Sequence, residues 1–594
     1  MQLHVFIQPI FMPIFSRAGL LSGLGMLLSL AAQAQTPAAP KEAPVYKASL
    51  DTAFQKGSGL VLSKLTAQQL ENLTALGQVW GFVKYYHPVV AAGQVDWDKE
   101  LFRVLPAALA SRTTAERSAL LGQWIAKLGP AAPCATCAKR PALPVRQEPD
   151  LVWLTDNRLY TAELQQQLDY LKHNRNQGSH YYVAEGNVLS PGFTHEEAYA
   201  THTYPDAGLR ILALFRYWNM IQYFFPYKYA IGENWQQVLP EFLPQFVEAP
   251  NALQYRLVTL RLLARIHDGH ATLNPDATLD QYMGAYIVPA AVKFIDRQAV
   301  VLRVRQDGLL PRPPLEPGDI LTHIDGVSVV DIVKQRLPLT PGSNEAGQLR
   351  MLASDLLRGN TDQTQLQLLR AGKPLTVSAP RYLLDKLPPV RPQPADSAYR
   401  FLKPDIGYLT MAKTKQQQLP TIFRTFKNTK GLVVDIRNYP TDFSATQQLP
   451  GYFLTKPKAF AKFAKFDISY PGRFLRFSSK FLKPIGTPYT GKLIVLVDET
   501  SISLAEYTAM ALRATPHAII LGSPTAGADG DVSRIVLPGN LVTRISGTGV
   551  YYPDGRETQR IGIVPDVQLR PTVQGIREGR DELLEKALEL IDKG

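Results

Sequence analysis

Apolar residues recur at helical spacing in two stretches of the N-terminal half, GQVWGFVKYYHPVVAAGQVDWDKELFRVLPAAL within 73–109 and FRYWNMIQYFFPYKYAIGENWQQVLPEFLPQF within 211–249. Each runs from a tryptophan through paired aromatics and a proline to a second tryptophan and a Leu-Pro-rich helix. The pattern predicts a duplicated helical unit whose aromatics pack a core rather than line a ligand platform. Further helices are expected over Thr161 to His173 and Tyr255 to Ala264, inside and after a mixed stretch at 134–206. The period then shortens. AAVKFI, AVVLRV, LEPGDILTHIDGVSV (315–329) and TQLQLLR read as strands, with turns at Gly318-Asp319 and Asp325-Gly326. A Pro-rich segment from Leu387 to Pro394 reads as a linker. Beyond it lie unbroken apolar runs at Leu432 to Ile436, Leu493 to Val497 and Ala518 to Leu521, the last two flanking a helical pattern from Ala505 to Arg513. Strand, helix, strand in that order implies a parallel sheet. Ligands of such sheets sit at the carboxyl ends of strands, here Asp435 to Asp442, Asp498 to Glu506 and Gly522 to Asp531.

One apolar run stands apart. Residues 19–34 follow Arg17 and end in Ala32-Gln33-Ala34, the small-x-small form of a signal-peptidase site, so the mature chain is expected to begin near Gln35. The run is short for a membrane anchor, and an exported protein without a stable membrane span is expected. The 594 residues have an ordinary globular composition, and the excess of 64 Lys and Arg over 51 Asp and Glu is spread along the chain with no dense basic run. That distribution excludes a disordered chain and speaks for solubility, not for a nucleic-acid partner. Cys134 and Cys137 are too few for a disulfide scaffold or a four-cysteine zinc site. In an oxidising compartment they read most simply as a local disulfide. A thioredoxin-like pair would need a preceding strand and a following helix start that the pattern lacks.

The chemistry concentrates in Asp498-Glu-Thr-Ser-Ile-Ser-Leu-Ala-Glu506, between a strand and a helix. Ser503 falls at the helix N-terminus, where backbone N–H groups and the dipole favour developing negative charge. From this segment alone a helix cap and a nucleophile are both consistent readings.

The stretch at 315–329 resembles a PDZ domain in the order seen in bacterial proteases. GLVVDIRNYP (431–440), KLIVLVDETSISLAEYTAMALRATPHAIILGSPTAGADGDVS (492–533) and RIGIVPDV (560–567) together resemble the S41 peptidases, the C-terminal processing and tricorn-core proteases, over roughly 205–594. To the leader at 1–34 and the helical regions at 35–205 and 206–278 that the pattern predicts, the resemblance adds a PDZ-like β domain at 279–382 and a ClpP/crotonase-like αβ core at 383–594, a multidomain α+β chain. It further implies cleavage of polypeptides, captured through extended segments or C-termini, by Ser503, without a cofactor.

One departure bears on mechanism. The lysine base of the processing branch corresponds to Ala528, and no lysine occurs between Lys492 and Lys586. The tricorn-like branch uses a histidine instead, which His270 in IHDGHATL matches, although the serine that precedes it in that branch is Gly269 here. An imidazole can take the serine proton and return it to the leaving amine. The resemblance points to Glu557 or Gln559 as the group behind the histidine, and to backbone N–H groups of Leu504 and Thr441 as the oxyanion hole. His267 and His270 lack an obvious third ligand, so no metal is expected. Asp435 and Arg437 read as a structural pair. The other reading is a catalytically inactive S41-like protein that binds envelope peptides, suggested by the lost lysine and the altered DIRNYP loop.

Overall fold

Helix α1 (Ala67–Tyr86) begins where the Thr66 hydroxyl accepts from Gln69 N and the Gln69 side chain accepts from Thr66 N. It stops at His87 because Pro88 cannot extend it. The computed structural model describes residues 46–593 apart from 186–188, 307 and 389–396. The expected export signal and most of the Pro-rich segment lie outside the described residues.

The duplication is visible atom by atom. α1 and α2 (Trp97–Ala110) are repeated by α3 (Ala207–Phe224) and α4 (Trp235–Glu248). In the first copy the Trp80 indole donates to Trp97 O at 3.1 Å and the Trp97 indole to Trp80 O at 2.9 Å. Trp218 and Trp235 repeat the exchange at 2.9 and 3.0 Å, with the same spacing of 17 residues. Each indole thus buries a large apolar area without orphaning its N–H. α1 can lie close to α3 because Gly77 and Gly81 have no side chains: a methyl group would fall 2.5 Å from the Phe215 ring at the first and 1.9 Å from Asn219 at the second.

The contacts between the copies are polar and unequal. On one side Lys84 pairs with Asp98 at 2.7 Å and Glu196 at 2.9 Å, and Arg216 pairs with the same two carboxylates at 2.5 and 2.7 Å. All four side chains are buried. Burial pushes Glu196 up to about 7, whereas at Asp98 burial is outweighed by Arg216 and Lys84, which hold it down to about 2. The equivalent positions on the other side are amides: Gln78 donates to Gln236 at 2.9 Å and Gln236 to Gln222 at 3.1 Å, with Tyr160 donating to Gln78 at 2.6 Å.

Cys134 and Cys137 form a disulfide in the loop between the copies. Arg175 fixes that loop by donating to Cys137 O at 2.9 Å and Ser469 O at 2.8 Å. A closed loop of this length contributes at most about 2 kcal/mol. Cys134→Ser is therefore expected to lower the free energy of unfolding in urea by about 2 kcal/mol or less, and a larger loss would show that the disulfide does more than close its own loop.

An antiparallel sheet follows: β1 (Ala290–Ile295), β2 (Gln298–Val304), β3 (Ile320–Ile324), β4 (Gln363–Arg370) and β5 (Lys373–Pro380), in the order β5-β4-β3-β2-β1. Helix α5 (Glu345–Asp355) lies along its edge strand β1, and the sheet has its own apolar cluster around Val301, Leu321 and Leu366.

The chain then runs through β6 (Tyr399–Lys403), β7 (Ile406–Thr410), β8 (Gly431–Asp435), β9 (Lys492–Val497), α6 (Leu504–Arg513), β10 (Ala518–Gly522), a hairpin of β11 (Val532–Leu537) and β12 (Leu541–Ser546), and β13 (Val567–Gln568). The second sheet has the order β6-β7-β8-β9-β10-β13, parallel from β7 onward. Its inner strands β7 to β10 are largely apolar because both faces are covered by separate clusters. Val145–Gln147, from the N-terminal half, pairs with Phe474–Arg476 of this region, so the helical part and the core share a small sheet. Among the described residues no helix is long and apolar enough to cross a membrane.

Candidate active site

β9 delivers the chain to the carboxyl edge of the parallel sheet, where residues 498–502 turn it back into α6. The turn is tied to the end of β8: Ser501 Oγ donates to Ile436 O at 3.0 Å and the Thr500 hydroxyl to Arg437 O. Ser503 then takes φ 58°, ψ −120°, a conformation that L-residues rarely occupy and that neighbouring bonds must hold. They do so. Ser503 N donates to Ala528 O at 3.0 Å and to Glu506 Oε2 at 3.1 Å. Leu504 opens α6, so its N–H is among the first-turn donors with no partner inside the helix.

Glu506 is the fastener of this edge. Its buried carboxylate accepts from Thr525 Oγ1 at 2.5 Å, Gly527 N at 2.7 Å, Ala528 N at 2.9 Å and Ser503 N. Burial raises its pKa, and those four donors oppose the shift. Ala528 is fully buried here.

The histidine turn packs onto the same spot. A methyl group on Gly269 would lie 3.2 Å from Ala528 Cβ and 3.2 Å from Ile502 Cδ1, tighter than ordinary contact. Glycine at 269 is what lets His270 approach the serine segment. His270 Nδ1 lies 2.9 Å from Ser546 Oγ, which in turn lies 2.9 Å from Asp268 Oδ1. Asp268 also accepts from Ser546 N at 2.6 Å and His270 N at 3.1 Å. Burial pushes the His270 imidazole below its ordinary value, against the pull of Asp268. It is therefore neutral at pH 7. His267 stands apart, its electrostatic neighbours being Arg560, Glu233 and Arg265.

The loop before α5 and the edge strand β1 brace the site. Ser343 accepts from Gly269 N at 2.8 Å, and Asn344 donates to Thr525 O at 2.9 Å. Lys293 on β1 pairs with Asp498 at 2.9 Å and Glu499 at 2.8 Å. Burial opposes the charge of this lysine, but the two carboxylates hold its pKa above the ordinary value. It stays protonated and cannot replace the base that Ala528 lacks.

Of the residues anticipated behind the histidine, Glu557 is elsewhere. Its carboxylate accepts from Arg146 at 2.8 Å and from the Tyr229 hydroxyl at 2.8 Å, which makes it a surface clamp on the small sheet. Gln559 is buried and reaches the histidine turn only indirectly, through Ser343 Oγ at 3.5 Å. The side chains that do touch the His270 imidazole or its turn, Ser546 and Ser343, were not anticipated. Thr441 is exposed, its hydroxyl donating to Ala412 O at 2.9 Å and accepting from Lys415 at 3.1 Å. The loop residues bonded to the serine turn are Ile436 and Arg437 instead. Asp435 and Arg437 do pair, at 2.6 Å. Among the described residues no group of three or more His, Cys, Asp or Glu is arranged to hold a metal.

A serine at the mouth of a parallel sheet, with a histidine turn packed against the residues that flank and bond it, is set in context by comparison with known sequences. Residues 405–569 match the model of peptidase family S41, and this part of the chain belongs to that family. Over 282 residues the chain is 26% identical to a carboxy-terminal-processing protease of Bartonella bacilliformis, covering 45% of this chain and 57% of that protein. Over 161 residues it is 25% identical to an uncharacterised protein of Chlamydia muridarum, 26% of each chain. These alignments span no more than 57% of the length of either relative. Among solved structures, mature CPAF complexed with lactacystin superposes with a TM-score of 0.50 at 14% identity, over 65% of this chain and 99% of that one. A CPAF mutant superposes with a TM-score of 0.52 at 16% identity, over 65% and 98%. At such identities the likeness is one of fold, a mixed helix-and-sheet architecture.

Proposed function

We propose that the protein is a serine peptidase of the S41 type that hydrolyses polypeptides through an acyl-enzyme, with Ser503 as nucleophile and His270 as general base. The observation behind this reading is the packing of the Gly269–His270 turn against Ile502 and Ala528, the two residues that flank and bond the strained Ser503. In this mechanism His270 Nε2 accepts the Ser503 proton as Oγ attacks the carbonyl carbon. The Leu504 N–H, at the positive end of α6, receives the oxyanion, and the loop after β8 supplies the second donor. Collapse of the tetrahedral intermediate breaks the C–N bond, and the imidazolium returns its proton to the departing amine. Water, deprotonated by the same imidazole, then releases the acyl group.

The sheet of β1 to β5, within 279–382, is in this reading the PDZ-like module. Its edge strand β1, with α5 alongside, suits an extended peptide that adds as a further strand. The parallel sheet within 383–594 is the ClpP/crotonase-like core, preceded by the leader at 1–34 and the helical regions at 35–205 and 206–278, and the protein works after export. The test is covalent. A fluorophosphonate at pH 8 is expected to modify wild-type protein at Ser503, located by mass spectrometry of its peptides, and to leave Ser503→Ala unmodified. No label on the wild type, or label on a different serine, overturns the assignment.

A further inference from the structure

We propose that Ser546 and Asp268 are positioning residues that hold His270 in its base-competent tautomer, taking the place of the hydroxyl that Gly269 cannot provide. The inference rests on His270 acting as the base and adds what makes it one. Asp268 is fully buried and lies at 3.6 Å from Nδ1, beyond hydrogen-bond reach of the ring. Ser546 Oγ fills the gap, at 2.9 Å from each. A carboxylate only accepts, so the single hydroxyl proton of Ser546 must go to Asp268. The hydroxyl then presents a lone pair to His270, and Nδ1 must carry the ring proton. Nε2 is left unprotonated, which is the form that can take a proton from serine.

The backbone keeps this arrangement in place. Asp268 accepts from Ser546 N at 2.6 Å and from His270 N at 3.1 Å, so one carboxylate fixes both the strand residue and the histidine turn. Ser546 is the last residue of β12 and pairs with Val532 of β11, which sets its height at the cleft. A serine at 269 would have to enter the contact with Ala528 and Ile502 that is already 3.2 Å for a methyl group. The hydroxyl comes instead from the end of β12. When the ring takes up its second proton, the buried charge of Asp268 favours the imidazolium through the bridging hydroxyl. Arg544 opposes that charge and Asp531 supports it, both from the β11–β12 hairpin. From the loop before α5, the neutral Ser343 accepts from the turn's backbone.

The experiment measures the rate of fluorophosphonate modification of Ser503 from pH 5 to 9 in wild type, Ser546→Ala and Ser546→Thr, with Ser503→Ala as the blank. Ser546→Ala keeps the backbone bond to Asp268, and circular dichroism melts confirm its fold. Its rate is expected to fall about 10- to 100-fold, with the pH midpoint displaced from the wild-type position. Threonine keeps the hydroxyl and is expected to recover most of the rate and the wild-type midpoint. A Ser546→Ala rate and midpoint equal to wild type overturn the relay, and so does an equal loss in Ser546→Thr with the midpoint unmoved in both. If Ser546→Ala does not fold, Ser546→Thr decides alone: a wild-type midpoint supports the relay and a displaced one overturns it. A wild type that takes no label overturns the reading of the site itself, which separates that failure from failure of the relay.

Discussion

Replacing His270 by alanine is expected to slow hydrolysis of an unfolded polypeptide about 10⁶-fold at pH 7, the loss that follows when a serine hydrolase keeps its binding groups and loses its general base. Ser503 is bonded through its backbone to Ala528 O, which is no base, and to the Glu506 carboxylate, whose oxygens are already taken up by four donors. Lys293 is held protonated by Asp498 and Glu499 and gives no substitute. Because the two groups act on one proton, adding Ser503→Ala to His270→Ala should remove little more. The pH dependence has a definite sign. Protonation of His270 abolishes the base, and burial places its pKa below the ordinary value. The acid limb of kcat/KM should thus fall below about pH 6.5, leaving full activity at neutrality. Stability follows the same direction, since the unfolded histidine binds its proton at higher pH than the folded one and the fold weakens as pH drops through that window. A His270→Ala enzyme within tenfold of wild type, or an acid limb above pH 7, would remove His270 from the mechanism.

Glu506→Ala is expected to cost about 3–5 kcal/mol of stability and to abolish labelling of Ser503 even in molecules that remain folded. The substitution leaves Thr525 Oγ1 and the N–H groups of Gly527 and Ala528 without their acceptor in the interior, and each such orphan costs about 1–3 kcal/mol. The fourth donor, Ser503 N, keeps its bond to Ala528 O but loses the second one that helps hold the strained φ. Urea denaturation with the slope fixed to wild type reads the stability. A cost under about 1 kcal/mol would mean that water replaces the carboxylate and that Glu506 does not fasten the elbow.

The two predictions concern residues of very different visibility in the sequence. Ser503 and His270 stand in short contiguous segments whose order along the chain is diagnostic, and the parallel strands stand out as apolar runs because both faces of their sheet are covered. The helical duplication was legible because the tryptophans that exchange hydrogen bonds must recur at a fixed spacing. Contacts between distant segments were not. Glu196 meets Lys84 across 112 residues and Ser546 meets His270 across 276, and neither residue differs in its local pattern from a solvated neighbour. Glu557 and Gln559 sit in an irregular segment with no period to set their direction. The structure turns the first toward Arg146 and buries the second. Asp268 was within reach, two residues before His270, but its partner on β12 supplies the context that gives it a role.

The unequal polar contacts between the two helical copies bear on how a chain avoids pairing with the wrong half of another. Two first copies brought together would set Gln78 against Asp98 twice, with the arginine that neutralises Asp98 absent from both contacts. Two second copies would set both Arg216 guanidiniums against Gln236 amides in the place of Asp98. Each loses one partner from a buried ionic network, although Lys84 still faces Asp98 and Glu196 still faces Arg216, and removing a partner from a buried pair costs several kcal/mol. Homotypic pairing between nascent chains is thereby disfavoured from either side, and a first copy is directed to a second copy.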